Sequence, residues 1–75
     1  MTDPAPGDTE ERLVRLVHDL RTPLTVITGF AELLERQREA LSEEQRAQYI
    51  ERIGAAAREM SSILDDEREQ RLSGS

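Results

Sequence analysis

From Leu13 onward the apolar residues recur in alternating steps of four and three: Leu13, Val17, Leu20, Leu24, Ile27, Ala31 and Leu34. Such spacing draws one stripe along an α-helix in heptad register. Val14, Leu16, Phe30 and Leu33 widen the stripe beyond strict a and d positions, as in a helix that touches two neighbours. A second seam runs through Tyr49 or Ile50, Ile53, Ala57, Met60 and Ile63 or Leu64, then fades into the acidic stretch Asp65–Glu69, read as a solvated face. Two long helices are therefore expected, and no strands.

Local signals set their ends. The opening residues Met1 to Gly7 hold two prolines and a glycine with no apolar period, so residues 1–8 are expected to be a flexible leader. Asp8 or Thr9 can cap the first helix, with Glu10 and Glu11 favoured in its first turn by the helix dipole. Helix 1 is placed at about residues 9–38. The spacing Ser42-Glu43-Glu44-Gln45 is that of a capping box, which places helix 2 at about residues 42–70 and leaves 71–75 as a frayed tail.

Pro23 falls inside the first periodic pattern. It cannot donate to the carbonyl of Asp19 and its ring crowds that carbonyl, yet the seam continues in phase through it. One helix kinked at Pro23 is expected, with Pro23 as its hinge. Two long helices joined by a short connection make an antiparallel hairpin. Each stripe is too wide for the other helix alone to cover, so the fold class is all-α, with two hairpins pairing as a two-fold homodimeric four-helix bundle.

Composition supports association. At 75 residues with no cysteine, the chain lies where one core seldom supplies more than about 3–5 kcal/mol, and disulfides are excluded. A single histidine argues against an all-protein metal site, and none is expected. The net charge of −6 disfavours nucleic acid and direct contact with an anionic membrane, both of which need clustered positive charge. No apolar run approaches the ~20 residues of a membrane span.

The chemistry gathers on the first helix. Counting Val17 as position a, His18 falls at b, Asp19 at c and Thr22 at f, so none points into the seam. Residues three and four apart share a face, which groups Arg15, His18, Arg21 and Thr22 in one exposed patch with Thr25 and Gly29 below. A neutral imidazole nitrogen is a competent nucleophile towards an activated phosphate. Arg15 and Arg21 flank it and can meet phosphate oxygens, the Thr22 hydroxyl can hold a water, and Asp19 can accept the other ring proton. Plainer readings stand beside these: a solvated surface histidine, an Arg15–Glu11 pair at i, i+4, a solvating Arg21, and an ordinary threonine ahead of a proline.

The run His18-Asp19-Leu20-Arg21-Thr22-Pro23-Leu24-Thr25 resembles the H-box of bacterial sensor histidine kinases, in their dimerisation and histidine-phosphotransfer domain, and the resemblance covers roughly Glu10 to Gln70. It implies that His18 is phosphorylated by an ATP-bound catalytic domain and passes the phosphoryl group to an aspartate on the receiver domain of a response regulator. It also implies Asp19 as acid/base neighbour, and an acidic-x-x-Thr pair of Asp19 and Thr22 that supports dephosphorylation of the regulator. Asp19 stands where many members have Glu, and Val17 where many have a small polar residue. Gly-rich nucleotide-binding boxes are absent from the 75 residues, so no cofactor is expected in this chain; ATP and magnesium belong to the partner catalytic domain, and the chain alone is not expected to autophosphorylate. The expected location is cytoplasmic, including as the cytoplasmic part of a membrane-anchored sensor. A catalytically silent dimerisation module and a stand-alone phosphotransfer protein are the alternatives.

Overall fold

The computed structural model describes residues 6–73. They form two helices, α1 (Pro6–Gln37) and α2 (Glu43–Ser73), joined by a 3-10 turn at Arg38–Ala40. The helices pack against each other as a hairpin, and no strand occurs among the described residues. The all-α hairpin is as the apolar periods require.

The boundaries differ from expectation at both outer ends. α1 starts at Pro6 rather than near Thr9: proline suits the first helical position because its fixed φ is helical and its missing N–H would have no partner there. Asp8 and Thr9 consequently lie inside the first turn instead of capping it. The rest of the expected leader, residues 1–5, lies outside the described residues. At the other end α2 runs on through residues 71–73, part of the expected tail; residues 74–75 lie outside the description.

The turn is closed by short-range bonds. The Leu41 N–H donates to the Gln37 carbonyl at 3.2 Å, and the Arg46 guanidinium donates to the Arg38 carbonyl at 2.7 Å. The capping box forms as its spacing predicts. The Ser42 N–H donates to Gln45 Oε1 and the Gln45 N–H to Ser42 Oγ, both at 3.0 Å, which satisfies two of the otherwise orphaned donors at the start of α2.

Two contacts between the helices fix their register. Arg12 reaches Glu67 at 3.6 Å, and the rings of Phe30 and Tyr49 lie 5.1 Å apart. The step from Arg12 to Phe30 equals the step from Glu67 back to Tyr49, so the register is constant between them. It brings Leu16 level with Ile63 and Pro23 level with Ala56. The residues of α1 that face α2 are Leu16, Leu20, Pro23, Ile27, Phe30 and Leu34, and those of α2 are Tyr49, Ile53, Ala56, Met60, Ile63 and Glu67.

That list corrects three readings of the sequence. Pro23, which the apolar period does not include among the seam residues, is the most deeply buried side chain among the described residues, under 2% exposed. α1 is continuous through it. Its ring fits because the opposing residue is small: Ala56 is buried, whereas Ala57, the expected seam residue, is exposed. Glu67, assigned to a solvated run, occupies a facing position and is half-buried.

The expected seam of α1 is therefore split between two directions. Leu20, Ile27 and Leu34 are half-buried towards α2, while Leu13, Val17 and Leu24 remain exposed. On α2, Ile50, Ala57 and Leu64 stand exposed at seven-residue intervals. One residue of advance turns a side chain by about 100°. In antiparallel helices this carries Val17 and Leu24 of α1 and Ile50, Ala57 and Leu64 of α2 to the same side of the hairpin.

The packing at Pro23 gives a test. Ala56→Leu should overpack the layer and lower stability by about 1–3 kcal/mol, read as a lower midpoint in thermal unfolding. An unchanged midpoint would mean that Pro23 and Ala56 do not oppose each other.

Candidate functional site

Heptad geometry puts His18 on the face of α1 turned away from α2. It is exposed, as are Arg15, Arg21 and Thr22. His18 lines a broad, open depression of about 630 Å³ with Glu10, Glu11, Val14 and Arg15. Among the described residues nothing packs over the imidazole, so a large donor can approach it along the helix flank.

Asp19 faces elsewhere. It lines a cleft of about 210 Å³ between the helices, together with Arg12, Arg15, Ile63, Asp66 and Glu67. The divergence follows from the 100° step between consecutive side chains, and no hydrogen bond joins His18 to Asp19 among the described residues. Arg15 borders both the cleft and the depression around His18. It makes no ion pair with Glu11 in this arrangement. Arg21 and Thr22 line neither cavity, so the structure brings Arg15 and His18 together and leaves Arg21 and Thr22 as exposed neighbours on the helix.

Pro23 affects this turn through the backbone. Because it has no N–H, the carbonyl of Asp19 lacks its usual helical donor. The burial of the Pro23 ring also fixes the rotation of α1, and with it the outward direction of His18, five residues earlier.

Below the histidine, Thr25, Val26, Gly29, Phe30 and Leu33 line a shallow, largely apolar depression of about 200 Å³. A Cβ built on Gly29 would meet nothing within 4 Å, so the glycine marks open space rather than a close approach. Periodicity alone had put Phe30 and Leu33 in the widened stripe without separating this surface from the interhelical face.

Of the cleft residues, the sequence pattern gives Arg12 no role and leaves Asp66 and Glu67 in a solvated run. The available signal was Glu67 itself: it continues the alternating four-and-three spacing of Tyr49, Ile53, Ala56, Met60 and Ile63.

Residues 11–71 match the family model of the His Kinase A (phospho-acceptor) domain. No curated protein and no solved structure matches the chain.

Proposed function

Because the chain belongs to the His Kinase A (phospho-acceptor) domain family, whose role is that of phosphoacceptor and dimerisation domain in histidine kinases, we propose that His18 is the phosphoacceptor and that the hairpin works as a homodimer. The observation that carries the first part is the placement of the sole histidine, exposed on the outer face of α1. The match covers the helices that hold it.

In the proposed reaction an imidazole nitrogen lone pair forms a bond to the γ-phosphorus of ATP held by a separate catalytic domain with magnesium. The bond from that phosphorus to its bridging oxygen breaks, ADP leaves, and the second ring proton is released. Asp19 receives it through water, since its carboxylate is turned into the cleft. Arg15, which shares the depression around His18, pairs with the phosphoryl oxygens; Arg21 lies on the opposite flank of the same turn. The phosphoryl group then passes to an aspartate of a response-regulator receiver domain, for which the apolar depression of Val26, Phe30 and Leu33 offers a docking surface beneath His18. In the separate dephosphorylation reaction Thr22, exposed one turn from His18, orients the water that hydrolyses the regulator's phosphoaspartate, releasing inorganic phosphate and the free carboxylate.

Dimerisation is supported by surface area. A compact monomer of this mass exposes about 4,700 Å², whereas the hairpin exposes 6224 Å². The excess includes a continuous apolar side, with Leu13 56%, Val17 53%, Leu24 49%, Ile50 56% and Leu64 49% exposed. A second copy related by a two-fold axis presents the same surface and closes the core. Among the described residues no helix is long and apolar enough to cross a membrane.

Incubation with a cognate ATP-binding domain and γ-labelled ATP should label the chain, and His18→Gln should abolish the label; label persisting in that variant would sink the assignment. Thr22→Ala should reduce dephosphorylation of the regulator by about tenfold or more, within the range of positioned proton-transfer and water-orienting groups, while sparing labelling of His18. Equal loss of both activities would refute the water-orienting role. In sedimentation at micromolar concentration the chain should be a dimer, and Val17→Glu with Leu24→Glu should convert it to a monomer of reduced helicity. A monomeric parent chain would remove the bundle.

A further inference from the structure

Two arginines border the cleft between the helices, and they are not equivalent. Arg12 is held by Glu67 of α2 at 3.6 Å. Arg15 borders both the cleft and the open depression around His18, and among the described residues it has no hydrogen-bond or ion-pair partner. Carboxylates lie on each side of it: Asp19 and Asp66 line the cleft, and Glu10 and Glu11 line the depression. With Arg12 engaged by Glu67, Arg15 is the cleft cation left to balance Asp19 and Asp66.

Helix geometry turns this position into a choice. His18 and Asp19 stand three and four residues beyond Arg15, each within reach of its side chain, but they point about 100° apart. One guanidinium cannot contact both fully. While His18 carries no phosphoryl group, the carboxylates of the cleft are the stronger attraction. A phosphoryl group on His18 brings about two negative charges and three acceptor oxygens, against one charge on each carboxylate. Arginine's planar fork meets such a group with two parallel hydrogen bonds, and the balance reverses.

We infer that Arg15 is a switching cation between the cleft and His18: with His18 unphosphorylated it faces Asp19 and Asp66, and a phosphoryl group on His18 draws it out into the depression. Asp66 of α2 is the positioning residue, because its hold on Arg15 sets how readily the guanidinium leaves. The departure leaves Arg12 alone with Asp19, Asp66 and Glu67, so α2 experiences the phosphorylation of a residue on the far face of α1. The helices keep their packing throughout, and one side chain moves. The inference rests on the reading of His18 as the phosphoacceptor.

The whole 75-residue chain, with its single histidine, can be phosphorylated by phosphoramidate: the donor's phosphorus–nitrogen bond breaks, a ring nitrogen bonds to phosphorus, and ammonia leaves with the ring proton. In heteronuclear NMR, phosphorylation of the parent should shift the Arg15 Nε–H signal and the backbone amides of residues 63–70. In Arg15→Gln, brought to the same extent of phosphorylation, those α2 shifts should fall by about threefold or more. Asp66→Asn should speed phosphorylation by about twofold to fivefold, the scale of a partly exposed charge pair, and should leave the rate unchanged in the Arg15→Gln background. The switch is overturned if the parent's α2 amides do not shift, if they shift as far without Arg15, or if Asp66→Asn acts equally in both backgrounds, as a carboxylate acting on the donor directly would. The chemical donor needs no catalytic domain, so these outcomes are independent of the labelled-ATP experiment that tests the phosphoacceptor assignment.

Discussion

Pro23 sits under the cover of α2, level with Ala56, and the direction of every other side chain on α1 follows from that layer. A helix has one rotational degree of freedom about its axis, and burying one ring fixes it. Leu16, Leu20, Ile27 and Leu34 then turn towards α2, Val17 and Leu24 to one side of the hairpin, Asp19 to the other, and His18 outward. The usual objection to proline in a helix is the lost hydrogen bond and the clash with the preceding turn. Here the ring's apolar surface is used as a core side chain, and the small residue across from it leaves the space.

Two helices alone cannot enclose a core. With a smallest extent of 10 Å, the hairpin is one helix thick, and among the described residues only Pro23, Leu41 and Ala56 are buried in it. The remaining large apolar residues are half-buried or exposed. This is the physical support for the proposed association, and it also separates the two sides of the molecule: one apolar, with Val17, Leu24, Ile50 and Leu64 exposed, the other polar and lined by Arg15, Asp19 and Asp66.

The chemistry is divided across the same geometry. His18 and Asp19 are adjacent in sequence but border different spaces, and Arg15 borders both. In the proposed function the proton passes between these consecutive helical residues, and Asp19 meets it from the interhelical cleft, to which α2 contributes Asp66 and Glu67.

Much of this was legible in the residues themselves. The alternating four-and-three spacing determined two helices and their hairpin, the Ser42 and Gln45 pair determined where α2 starts, and heptad counting determined that His18 faces outward, because all three depend on local geometry that the chain carries with it. The eight-residue run from His18 to Thr25 determined the family resemblance in the same way. Which part of each wide stripe faces α2 was decided by the tertiary structure. Leu13, Val17 and Leu24 are as apolar as Leu16, Leu20 and Ile27, and period alone cannot rank two directions on one helix. The choice of Ala56 over Ala57 and the burial of Pro23 depend on how two particular surfaces interlock, and the pairing of Arg12 with Glu67 depends on a register set by residues far apart in sequence.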